Sequence, residues 1–160
     1  MGGAITQWTA LHAPERLIGI GLVGTGARLR VLPAILTGLE TEFGKTIDLI
    51  VKYAFAPGAD QTLVDGGREE WLKNRPAVAH GDFVACDRFD VMTRVGEIRL
   101  PAAIVVGAQD QLTPVKYARF LADHLPDAEL TVVENAGHMV MVEQPAAVTE
   151  ALQRLVNRCC

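Results

Sequence analysis

Serine is absent from all 160 residues, although it is among the commonest amino acids in proteins. A serine nucleophile supplied by this polypeptide is therefore excluded. Cysteine is scarce: Cys86 lies in mid-chain and Cys159-Cys160 at the end, which is no secreted disulfide framework. Cys86 is expected to be a small buried hydrophobe. Basic residues are not in excess. The formal net charge is −4, aromatics make up only 6%, and no basic stripe interleaved with aromatics offers a nucleic-acid surface. No apolar run approaches the roughly 18 residues that cross a bilayer, and no charged leader precedes an apolar signal segment. A cytoplasmic protein without a membrane partner is the expectation. His12, His80 and His124 are scattered without ligand-like spacing, so no metal is expected.

What is present is a well-mixed globular chain. Hydrophobic residues make up 49% and charged residues 21%, enough for one domain with a real core. Ala4, Ile5, Trp8 and Leu11 fit one face of a first helix that Pro14 closes. Leu17 to Gly24 then reads as a glycine-rich apolar strand. Within it, Gly19-Ile20-Gly21-Leu22-Val23-Gly24 matches the dinucleotide-binding glycine pattern literally. The context does not fit. Only Leu17 and Ile18 precede the first glycine where a full strand is needed, and Glu40 and Glu42 fall in helical sequence rather than at a strand's end.

From about residue 27 to 97 the periodicity is helical. Val31, Leu32, Ile35, Leu36 and Leu39 mark one helix, Ile47, Ile50, Val51, Ala54 and Phe55 a second, and Leu63, Val64, Trp71 and Leu72 a third. Phe83, Cys86, Phe89, Val91 and Val95 suggest one or two more. Such an insertion between strands can act as a lid whose inner face shapes a pocket. Phe83, Phe89 and Val91 are the candidates for lining it.

The stretch from Pro101 to Pro145 organises the rest. Ala102 to Val106 is a continuous apolar run suited to a parallel strand buried on both faces. Thr113-Pro114 reads as an N-cap followed by the first helical position, with Val115, Ala118, Leu121 and Leu125 at helical spacing. Glu129 to Glu134 is a second short strand. Strand, crossover helix and strand require a parallel pair with a right-handed connection. Two loops then leave the same end of the sheet, one carrying Asp110 and the other His138. Neighbouring strands lie about 4.8 Å apart, so these residues are expected side by side at the end where open α/β sheets bind ligands. Gln144-Pro145 opens a last helix, expected to fray from Asn157 onward.

Together these residues resemble the C-terminal half of an α/β-hydrolase. Gly107-Ala108-Gln109-Asp110 with Thr113-Pro114 looks like the family's acid loop, and Gly137-His138 with Glu143-Gln144-Pro145 looks like its histidine loop. Met1-Gly2-Gly3-Ala4 looks like the tail of the nucleophile elbow. The resemblance implies an α/β fold with three parallel strands, flanking helices and an inserted lid, the first half of the sheet lying outside the chain. Its parts would be residues 1–26 and 98–160 as core and 27–97 as lid. His138 would be general base and then acid, with Asp110 orienting it. Met1 would correspond to the residue whose backbone N–H lines the oxyanion hole, and the nucleophile would precede it. The reaction implied is hydrolysis of a small apolar ester-like substrate without a cofactor, in need of a nucleophile that this chain lacks.

Two other readings follow from the residues. A non-catalytic interaction fragment would expose the Leu17 to Gly24 strand as an apolar edge, inviting self-association or a complementing chain. A nucleotide-binding domain would use the glycine pattern at residues 19–24.

Overall fold

A computed structural model describes residues 1–160. Three parallel strands, β1 (Ile20–Val23), β2 (Ala102–Gly107) and β3 (Ala128–Val133), form one sheet in the order β1-β2-β3. Every residue of the central strand β2 is buried. Its side chains alternate between two cores. Ala102, Ile104 and Val106 face Ile20, Leu22, Leu121 and Val95 on one side. Val105 faces Val133, Val140, Val148 and Ala151 on the other. Helices therefore cover both faces, as a parallel sheet requires.

The helices are α1 (Gly2–His12), α2 (Pro33–Thr41), α3 (Phe43–Ala54), α4 (Gln61–Leu72), α5 (Pro76–Arg88), α6 (Val115–His124), α7 (Val140–Glu143) and α8 (Pro145–Cys159). Helices α2 to α5 lie between β1 and β2 in the chain and pack around their own core of Leu39, Ile47, Ile50, Val51, Ala54, Phe55 and Ala79. One helix, α5, follows Pro76. The chain then runs back along residues 27–31, and Arg28 and Asp90 form an antiparallel bridge.

Several local expectations change. β1 begins at Ile20 instead of Leu17, because Pro14–Arg16 forms a 3₁₀ turn and the chain first meets the sheet where the Ile20 N–H donates to the Pro101 carbonyl at 2.9 Å. Helix α1 does not bury Ile5 and Trp8, which are 58% and 57% exposed. It buries Ala4, Gln7 and Ala10 instead. Gln7 is wholly buried and its amide donates to the Gly3 and Gly26 carbonyls, both at 3.0 Å. Small residues let the helix approach closely: a Cβ at Gly3 would stand 2.5 Å from the Thr25 side chain. The chain end does not fray at Asn157, since α8 runs to Cys159. The Cys159 thiol donates to the Ile18 carbonyl, and Arg158 pairs with Asp127 and with Glu129.

The glycine pattern also has a packing explanation. A Cβ at Gly19 would meet the Cys159 sulfur at 2.6 Å, and one at Gly21 would meet Leu152 at 3.0 Å. Both glycines let α8 lie close against the sheet. They stand before and within β1 instead of after it, and β1 leads into irregular chain. The strand-turn-helix that would hold a pyrophosphate at a helix N-terminus does not form here.

No helix is long and apolar enough to cross a membrane. Replacing Leu22, fully buried under the sheet, with alanine should cost about 2–5 kcal/mol in urea unfolding. Val132→Ala, at a position 37% exposed on the edge strand β3, should stay well under half of that.

Candidate active site

The site begins with the register of β2 and β3. Gly107 pairs with Val133, so both strands end at the same level. The two following loops are then laced together: the Ala108 N–H donates to the Val133 carbonyl at 2.8 Å and the Gln109 N–H to the Ala136 carbonyl at 2.9 Å. Only glycine fits at 107, because a Cβ there would stand 2.2 Å from the Gly137 carbonyl and 2.3 Å from that of Ala136. Asn135, in the left-handed region at φ 55°, starts the turn that brings the second loop over; asparagine tolerates that conformation better than most residues.

This lacing sets Asp110 against His138. The Asp110 side chain is fully buried and the His138 side chain is 26% exposed, with Nδ1 3.0 Å from Oδ2 of Asp110. The Asp110 carboxylate is saturated. Its Oδ1 accepts from the Leu112 and Thr113 N–H groups at 2.9 and 2.8 Å, and its Oδ2 also accepts from the Thr113 hydroxyl at 2.9 Å. A buried carboxylate so satisfied presents a fixed acceptor to the imidazole. Thr113 does not cap the following helix. Its hydroxyl is spent on Asp110 and lies 3.2 Å from Nδ1 of His138, while α6 starts at Val115 with Pro114 at its N-cap. With Nδ1 engaged on its buried side, the ring leaves Nε2 as its second nitrogen for chemistry.

Glu143 is the residue that sequence reasoning quoted without giving it a task. Its two carboxylate oxygens accept from the Ala56 and Gly137 N–H groups, each at 2.8 Å. The Met139 N–H donates to the Ala54 carbonyl at 2.9 Å. The loop bearing His138 is thereby tied to the end of α3, and a Cβ on Gly137 would strike the Ala56 nitrogen at 2.6 Å. Gly24, at φ 54°, closes the other side, its missing Cβ leaving room for the imidazole at 3.2 Å.

A cavity of about 680 Å³ opens between the carboxyl ends of the strands and the helical insertion, with His138 in its wall. The wall is mostly apolar and includes Ile35, Leu49, Ile50, Trp71 and Phe83. Met1, expected near the oxyanion position, borders the same cavity. Of the three residues expected to line a pocket, Phe83 is in the cavity wall, whereas Phe89 and Val91 are not: Val91 is buried in the core under the sheet and Phe89 packs against that core. Helical spacing identified them as apolar but carried no information on which side the chain would turn after Arg88. Cys86, expected to be a small buried hydrophobe, is half-buried and lines the cavity. The other histidines are occupied locally, His12 stacked on Trp8 and His124 on Phe120 at 4.0 Å, and His80 3.6 Å from Glu40. Shifted titrations lie on the outer surface, where hydrogen bonds to Asp48, Glu70 and Glu97 raise Arg68, Lys73 and Arg94, and Arg94 in turn lowers Glu97.

Glu143→Ala should leave two buried N–H groups unpaired and cost about 1–3 kcal/mol per group in urea unfolding. Glu143→Gln, which keeps one acceptor oxygen, should lose less.

The Alpha/beta hydrolase family model matches residues 1–151. The chain is 28% identical to 3-oxoadipate enol-lactonase 2 of Acinetobacter baylyi over 99% of its length and 61% of the relative's. It is 29% identical to the pimeloyl-[acyl-carrier protein] methyl ester esterase of Chromobacterium violaceum, over 95% and 65%. A solved thermophilic esterase superposes with TM-score 0.89 at 41% identity, covering 98% of this chain and 63% of that one. The enol-lactonase of Burkholderia xenovorans LB400 shares the fold at TM-score 0.90 and 21% identity. The chain thus spans a little under two thirds of the length of these relatives. With a parallel sheet whose laced loops hold an acid against a histidine, and a family match over nearly its whole length, the chain belongs to the alpha/beta hydrolase family.

Proposed function

We propose that this chain provides the acid, the histidine and the substrate cavity of a hydrolase acting on esters or lactones. The Asp110–His138 pair at 3.0 Å, with the imidazole facing an apolar cavity, carries that reading. In it His138 takes the proton from a nucleophile and returns it to the leaving alcohol, while Asp110 fixes the ring's tautomer and stabilises the imidazolium. Two of the similar enzymes are named for a lactone and a methyl ester, which supports this bond class. Helices α2 to α5 serve as the lid, and Glu143 ties lid and histidine loop together.

The nucleophile comes from outside these 160 residues, since they contain no serine and Cys86 stands on α5 in the lid, away from any strand-to-helix elbow. Met1 then follows that nucleophile and helps to form the oxyanion hole. β1 has no partner on its outer edge, so a complementing segment would add to the sheet there.

Alone, the chain should hydrolyse p-nitrophenyl butyrate no faster than its His138→Ala variant. Supplying a polypeptide with the preceding strands and a Gly-x-Ser-x-Gly elbow should give turnover. His138→Ala or Asp110→Asn should then lower kcat by about 10²- to 10⁴-fold. Turnover by the chain alone that vanishes in His138→Ala would overturn the missing-nucleophile reading. Complemented turnover indifferent to His138→Ala would overturn the role given to the histidine.

A further inference from the structure

One guanidinium in the cavity wall is occupied by no hydrogen bond. Arg28 lines the cavity, and its side chain is 45% exposed. Its nearest acidic partner is Oδ2 of Asp90 at 3.9 Å, which is beyond hydrogen-bond reach. That oxygen is already taken by Arg30 Nη2 at 3.3 Å, and Oδ1 of Asp90 accepts from the Met92 N–H at 3.2 Å. Arg30 also donates to the Asp87 and Leu29 carbonyls. Two guanidiniums thus share one carboxylate, and Arg28 is the one left without a hydrogen bond. Arg30 lines the same cavity, and the one side-chain carboxylate in the wall is Asp82 of α5, which forms no hydrogen bond or ion pair.

The backbone around Arg28 is fixed. The Val91 N–H donates to the Ala27 carbonyl at 2.8 Å, the Leu29 N–H to the Phe89 carbonyl at 3.2 Å, and the Val31 N–H to Oδ1 of Asp87 at 3.0 Å. With the backbone anchored, only the Arg28 side chain remains to be ordered when a ligand binds. It is also near the reactive centre. Gly24 touches His138, and four residues of chain span at most about 14 Å.

We propose that the cavity selects esters or lactones bearing a carboxylate at the end remote from the reacting bond, with Arg28 as the residue that holds it. This rests on reading the cavity as the ester site. A carboxylate matches the planar fork of a guanidinium and can accept two parallel N–H bonds. The apolar lining, with Ile35 and Phe83 among its residues, suits a methylene linker. A neutral ester would fill the same space and leave Arg28 without its hydrogen bonds. Asp82, in the same wall, disfavours an anion placed beside it.

The test is binding, free of turnover. The 160-residue chain is titrated calorimetrically with monomethyl suberate, which carries one carboxylate, and with dimethyl suberate, which carries none. The monoester should bind about tenfold more tightly, as expected for a partly exposed charge-assisted pair. That advantage should shrink as NaCl rises from 0.05 to 0.5 M. Arg28→Gln should remove the preference while leaving dimethyl suberate affinity unchanged, Arg28→Lys should keep part of it, and Asp82→Asn should increase it. Equal affinities for the two esters in the unmodified chain, or a preference that survives Arg28→Gln, would overturn the assignment while leaving the ester cavity standing. Binding of neither ester would overturn both.

Discussion

The site depends on the close crossing of two backbones beside Gly107. A parallel pair in register delivers the ends of β2 and β3 to one level, and the missing Cβ at Gly107 lets the Gly137 and Ala136 carbonyls come within 2.2 and 2.3 Å of where it would be. Two N–H bonds then lace the loops together. The 3.0 Å contact between His138 and Asp110 is a consequence of this crossing, because neither residue could reach the other across loops held further apart. The saturation of Asp110 by Leu112, Thr113 and His138 completes the arrangement, since a buried carboxylate is tolerated only when its lone pairs are used.

Around that crossing the remaining parts act as a frame. Glu143 joins the histidine loop to the end of α3 through two backbone N–H groups, so a shift of the helical insertion would be felt at His138. The insertion has its own apolar core, yet Met139, next to the histidine, packs against it. The proposed lid and the proposed base are therefore mechanically linked. The segment from Ala27 to Val31, which carries Arg28, is bonded to the end of α5 and the chain after it. On the proposed reading, an apolar cavity with His138 in one wall and a guanidinium without a hydrogen bond in another suits a ligand with an ester at one end and a charge at the other.

Particular residues show what could be read from the chain and what could not. The acid and histidine were legible because a continuous apolar run, a helical period and a second short strand allow one topology, and handedness then fixes the end at which both loops emerge. Gly19 and Gly21 were legible as small residues in a strand, but only the arrival of α8 shows what their smallness is for. The first helix misled because Ile5 and Trp8 are apolar while Gln7 is not. Gln7 is buried because two carbonyls, those of Gly3 and Gly26, wait for its amide, and the second belongs to a loop 19 residues away. Phe89 and Val91 misled for a similar reason: periodicity marks them as buried without saying in which core.

By itself the sequence determined the α/β class, the strand-helix-strand unit, the acid and the histidine, and the absence of a serine from these residues. Each is a matter of composition or local periodicity, which a chain carries wherever it goes. Tertiary structure alone decided that Thr113 serves Asp110 instead of a helix, that Glu143 ties two distant segments, that Cys86 and Phe83 face the cavity, and that Arg28 stands there without a hydrogen bond. Apart from the Thr113–Asp110 bond, which spans three residues, these are properties of groups far apart in sequence. Their distances are set by the packing of the helical insertion against the sheet's carboxyl end, which no local pattern encodes.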